Sequence, residues 1–202
     1  AIMNSSMAMA CAFGKVDGYR YWMVDATLPV TIPIGTSTAI SSITGGIAYH
    51  MVNTRSQTAL ISSVSPTANS GSTLATDYVP DGNAGLYFKA GVGFKNIARE
   101  ETFNGDLLFT VSFNQNGGLN TIGFNGDVYS MVKIAERQTS SNYAKGVANI
   151  SYDNQAKVLD AQLNLVANFS NALTANIWSQ FHFAPGLWYV HLGRPSNPCT
   201  VN

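Results

Sequence analysis

The sequence predicts an all-β protein, an antiparallel sandwich or barrel, and three observations carry that expectation. Apolar and polar residues alternate with period two over long runs. Short turn-forming clusters such as "NQNGGLN", "PDGNAG", "YDNQA" and "APG" separate those runs. No long stretch shows helical spacing strongly enough to compete.

The strands justify themselves in turn. "ATLPVTIPIGTSTAISSITGGIAYHM" opens with Pro29 and Pro33, which remove ladder donors, so "LPVTIPIG" reads as an edge strand or extended loop. In "DLLFTVSFN" Leu107, Phe109, Val111 and Phe113 share one face, and Thr110, Ser112 and Asn114 the other. "IGFNGDVYSMVKI" places Ile122, Phe124, Val128, Val132 and Ile134 on one side. "LDAQLNLVANFS" alternates from Leu159 to Ser170 with Val166 as the exception, and its Asn content favours a strand over a helix. "FNGD" occurs at 103 and again at 124, and both copies read as similar hairpin turns. The Ser/Thr/Gly/Pro-rich run "SSVSPTANSGSTLATDYVPDGNAG" reads as a long loop, a common place for binding residues.

Composition narrows the function classes. The 202 residues suit one domain. Charged residues make up 11%, against about 25% in typical domains. Ser, Thr, Asn and Gly replace them, which suits a secreted β-protein whose strands present Thr, Ser and Asn outward. The formal net charge is zero, which offers no electrostatic footprint for nucleic acid or an anionic membrane. No apolar run reaches the roughly 18 residues of a membrane helix, and no membrane insertion is expected. "AIMNSSMAMACAFG" reads as the mature end left after a leader is cleaved. A Cys11–Cys199 bridge would close nearly the whole chain, worth roughly 4–5 kcal/mol on a chain-entropy account. Two unrelated thiols are the alternative.

Catalytic signatures are missing. There is no G-x-S-x-G and no phosphate-binding glycine loop, and several of the acids sit in turns where Asp serves backbone geometry. The reading is therefore non-enzymatic, with no cofactor. His182 and His191 could meet across the "APG" hairpin, and His50 follows the flexible Gly45–Gly46 pair, so these three are weak metal or haem candidates. A secreted haem- or metal-binding β-barrel carrier is the alternative function. A hydroxyl-rich, neutral surface with aromatic platforms suits carbohydrate, which needs apolar walls and a few placed polar groups. On that ground the expected ligand residues are Asp77, Tyr78, Asp81 and Asn83 in one loop, with Trp22 and Trp188 beside other aromatics.

Two stretches, "AGLYFKAGVGFKNIAREETFNGDLLFTVSFNQN" and "IWSQFHFAPGLWYVHLGRPSNPCTVN", resemble the receptor-binding domain of two-domain chaperone–usher fimbrial tip adhesins. The tail resembles that domain's last strand, its linker and the cysteine-led first strand of a pilin domain. The resemblance implies an elongated, immunoglobulin-like β-sandwich or jelly-roll over residues 1–193, with 194–202 as linker and the start of a further domain. It also implies secretion to a fimbrial tip and a host-surface ligand, usually a glycan. A periplasmic chaperone and pilus subunits would be the protein partners. Cys199 would then find its partner beyond residue 202.

Overall fold

The structure, a computed structural model, describes residues 7–54, 64, 77–170, 172–193 and 200–201. It is all-β and antiparallel, as the period-two runs require. The strands are β1 (Ala8–Val16), β2 (Tyr19–Ile34), β3 (Thr38–Tyr49), β4 (Met51–Asn53), β5 (Tyr78–Pro80), β6 (Ala84–Asn96) and β7 (Asn104–Asn114). They continue with β8 (Leu119–Ser130), β9 (Asn142–Asp153), β10 (Val158–Phe169), β11 (Leu173–Ala184), β12 (Leu187–Leu192) and β13 (Thr200–Val201). All but β4 and β5 belong to one sheet in the order β1-β2-β3-β6-β7-β8-β9-β10-β11-β12, with β13 also pairing β11. Neighbours in the sheet are thus neighbours in the chain, apart from the β4–β5 excursion. This is a meander. Among the described residues it shows none of the Greek-key crossovers of an immunoglobulin-like or jelly-roll arrangement.

The proline-broken run lies where its missing donors cost least. β1 pairs β2 only as far as Thr27, so the Leu28–Ile34 end of β2 bonds β3 alone, with a register shift between Pro29 and Ile32. β10 runs unbroken between β9 and β11.

Two local expectations are corrected. Neither "FNGD" is a hairpin turn. Asn104–Asp106 opens β7, and Phe124–Asp127 lies inside β8. Nor do Val132 and Ile134 extend β8. The strand ends at Ser130, Met131 adopts φ 67°, and Ile134–Glu136 forms a 3-10 turn. Both aliphatics are buried, but as the underside of a strap.

The largest correction concerns the faces. Thr, Ser and Asn do not point outward. On the central strands the polar face is buried and the apolar face exposed: Thr110 is 3% exposed, whereas its neighbour Phe109 is 46% exposed. Thr27, Ser42, Thr44 and Asn125 are buried, while Ile43, Phe88, Phe124 and Val128 are exposed. The cross-strand register makes this continuous. One row of exposed and half-buried side chains reads Val24, Ile47, Phe88, Val111, Ile122, Tyr152, Leu159, Phe183, Trp188. The parallel rows through Phe109, Leu107 and Val128 carry no charged side chain, and Ser179 holds their only hydroxyl.

Two connections cover parts of the polar face. Val64 is buried against Leu108, and its carbonyl accepts a 2.5 Å bond from the Ser42 hydroxyl. The strap between β8 and β9 is clamped by Asn104, which is fully buried. Its Nδ2 donates to the Val132 carbonyl at 2.6 Å and the Glu100 carbonyl at 3.0 Å, and its Oδ1 accepts from Arg137 Nε at 2.8 Å. Asn104→Ala deletes all three bonds and leaves the buried Arg137 Nε without its acceptor. It is expected to cost about 3 kcal/mol or more in denaturant unfolding, while Asn154→Ala in the exposed β9–β10 turn costs well under half of that.

Candidate functional site

The concealed face carries two ionic clusters. Asp25, Gly46 and Lys89 occupy one row on β2, β3 and β6. Lys89 Nζ donates to Asp25 Oδ2 at 2.5 Å, and both side chains are almost fully buried. The ion pair reaches over the intervening strand because Gly46 has no side chain. A Cβ there would stand 3.3 Å from the Asp25 carboxyl and from Lys89 Cε. Tyr78 Oη donates to the same Asp25 oxygen at 3.1 Å, and the Tyr87 ring lies edge-on to Tyr78 at 6.1 Å. Burial, then the Asp25 charge, pushes both phenols well above their ordinary pKa, so they stay protonated donors.

The second cluster lies further along the strands. Arg137 of the strap pairs with Asp106 and stacks 4.5 Å over the Tyr129 ring. Lys145 Nζ approaches Asp127 Oδ2 at 3.9 Å, and Tyr129 Oη donates to that oxygen at 3.2 Å. Desolvation raises Asp106 to about 6 and raises Asp127 too, against the pull of Arg137.

The expected site residues separate. Tyr78 is buried and committed to Asp25. Asp77 precedes β5, and its carbonyl accepts from Thr54 N at 2.8 Å and Thr54 Oγ1 at 3.0 Å. Trp22 lies on the apolar face beside Tyr49, ring centroids 6.4 Å apart. Trp188 is 72% exposed on that same face. Asp81 and Asn83 form an Asx turn, Asn83 N donating to Asp81 Oδ1 at 2.8 Å, and both line a cleft of about 410 Å³ at one end of the sheet. Sequence reasoning did not find the residues that meet them there, Asn53, Tyr87, Asn114, Asn120 and Gln155, because they come from four separate segments.

The histidines are also settled in place. His182 Nδ1 is 2.8 Å from Asp160 Oδ1 and its ring stacks on Tyr189, which in turn stacks on His191 at 4.4 Å. The hairpin thus brings His182 and His191 to opposite sides of one ring. His50 stacks on Tyr49 at 3.9 Å, with Nδ1 3.0 Å from the Arg20 carbonyl. Among the described residues, no group of three or more His, Cys, Asp or Glu is placed to hold a metal ion. Cys11 is a free, exposed thiol, and Cys199 lies outside the described residues, as does most of the 194–202 segment. Thr200–Val201 pair with Ala175 and Asn176 of β11.

No family model, curated protein or solved structure matches this chain.

Lys89→Met leaves the Asp25 carboxylate buried without its cation, and is expected to cost about 3–5 kcal/mol. Adding Asp25→Leu should recover most of that loss in the same unfolding assay, since a buried pair is worth little over an apolar isostere. The Asp106 shift has a definite sign. Its folded pKa is raised, so its contribution is complete below the ordinary aspartate pKa and disappears as pH rises through about 6. Unfolding free energy should therefore decline across that window, and Asp106→Asn should flatten the decline.

Proposed function

We propose that the chain is the wall of a membrane-embedded antiparallel β-barrel, with the Phe109 face in lipid and the Lys89 face turned to the barrel interior. The observation that carries this reading is the inversion of polarity: ionised side chains buried on one face, an uncharged apolar face exposed on the other. In water that arrangement is unfavourable on both sides. A soluble sheet would bury Phe109, Phe124 and Leu165 under a second layer. In a bilayer both faces are matched, because membrane barrels alternate apolar-out with polar-in.

The dimensions agree. Rows on one face are about 6.8 Å apart along a strand. With the Trp22–Tyr49–Leu86 row beside them, the four charge-free rows make four such spacings, about 27 Å along the strands and about 20 Å across the bilayer at a tilt of 35–45°, close to the roughly 25 Å apolar band of such barrels. Tyr49, Tyr152, Trp22 and Trp188 gather at one margin of the band, where interfacial aromatics belong. Lys15 and Arg20 stand beyond them at the β1–β2 tip. The sheet has two edges, β1 and β12, running antiparallel to one another, so pairing them directly or through further strands closes the wall. No helix of the described residues is long and apolar enough to cross a membrane, so any crossing would be made by strands.

A water-exposed adhesive domain at a fimbrial tip is the second reading, and the position of Asp81 and Asn83 on an end cleft favours ligand binding there. One experiment separates the two. Urea-unfolded chain diluted into lauryldimethylamine oxide micelles or short-chain phosphatidylcholine vesicles is expected to regain β-sheet circular dichroism and float with the vesicles after a urea wash. Phe109→Arg, at mid-band, should weaken vesicle folding by about 2–4 kcal/mol. A folded, monodisperse protein in detergent-free buffer would reject the membrane reading and favour the adhesin.

A further inference from the structure

We infer that the end cleft between the β4–β5 pair and the β7–β8 and β9–β10 turns is a binding site for a neutral polyhydroxylated ligand, a short saccharide. The inference does not depend on lipid surrounding the sheet. It stands on the chemistry of the cleft. Carboxamides converge there from four segments: Asn53, Asn83, Asn114, Asn120 and Gln155. A carboxamide both donates and accepts, as a sugar hydroxyl does, although the Asn114 Oδ1 is already taken by the Asn116 and Gly118 amides. No Lys, Arg or His lines the cleft, so an anionic ligand would meet no countercharge. Asp81 is the single carboxylate, and its Oδ1 is already engaged by the Asn83 amide, which leaves no acidic cluster for a divalent cation.

Two further features favour a sugar over other neutral solutes. Met51 and Ala84 add apolar surface between the polar groups, suited to the C–H faces of a pyranose ring. Tyr87 also lines the cleft, and its hydroxyl, turned toward Tyr78, is buried with no hydrogen-bond partner among the described residues. Its raised pKa keeps that proton in place. A buried phenol without a partner is costly, and a ligand oxygen that reaches the Tyr87 hydroxyl from the cleft would satisfy it. The volume, about 410 Å³, falls within the roughly 300–1,000 Å³ of small-molecule sites.

The test uses the whole chain folded in lauryldimethylamine oxide, because a glycosidic detergent would compete for the cleft. Calorimetric titration with maltotriose, cellotriose and N,N′-diacetylchitobiose is compared with a trimer of glucuronic acid. At least one neutral saccharide should bind and the uronic acid should not. Tyr87→Phe, which removes only the hydroxyl, and Gln155→Ala, in an exposed turn, should each weaken binding about threefold to tenfold. Val128→Ala on the opposite face should leave it unchanged. Circular dichroism and the thermal transition of each variant confirm that the fold persists. No binding by any saccharide, equal binding of the uronic acid, or affinity indifferent to both cleft substitutions overturns the inference. Those outcomes leave vesicle insertion untouched, so the two readings fail separately.

Discussion

Lys89 and Asp25 meet across a glycine on the concealed face of the sheet, and that contact constrains everything around it. An ion pair with both partners almost fully buried needs hydrogen bonds to its remaining polar atoms, and Asp25 Oδ1 finds none among the described residues. Tyr78 supplies one such bond from β5, which ties the excursion between β3 and β6 to the interior. The same strands must then turn Phe88 and Val24 the other way, because successive side chains alternate. Burying charge on one side of a single sheet therefore forces the apolar residues onto the other. With no second layer among the described residues to cover them, those residues stay exposed.

The second cluster shows the same logic at the far end of the strands. Arg137 enters from the strap rather than from a strand, so the acids of β7 and β8 recruit a connection to neutralise them. Asn104 fixes the strap's backbone, and Tyr129 lies between the Arg137 and Lys145 cations. The β9–β12 half of the concealed face is different in character: Asn149, Gln162 and Gln180 form one row of it and Asn164 stands in the next, all partly buried. Interior polarity thus grades from ion-paired to neutral amide around the sheet.

Much of the fold was legible. Period two located β7 and β10, and Pro29 and Pro33 marked the stretch of β2 that bonds only one neighbour. What the alternation could not disclose is which face is buried, because an apolar–polar repeat is symmetric between packing on a core and packing on lipid. The discriminating signal was present in the polar half of the repeat. Asp25, Lys89, Asp106 and Asp127 stand in strand interiors, where a soluble sheet would keep charge at its ends or on an open face. "FNGD" misled for a related reason: Asn125 and Asp127 are inward polar residues of β8 with Gly126 on the outer face, a composition that imitates a turn. Tyr78 was legible as unusual but not as buried, since its partner lies 53 positions away. Asp81 and Asn83 were singled out as loop oxygens suited to sugar hydroxyls, whereas the cleft around them exists only after the meander has brought distant turns together.

The most direct test of the inverted sheet is quenching of single-tryptophan variants by lipids brominated along their acyl chains. With the other tryptophans replaced by Phe, Trp188 should be strongly quenched in brominated vesicles, because it projects from the apolar face. Trp178, 3% exposed on the opposite face of the adjacent strand, should be quenched far less. Equal quenching of the two, or quenching of neither, would contradict the claim that this sheet presents one face to lipid and keeps its charges on the other.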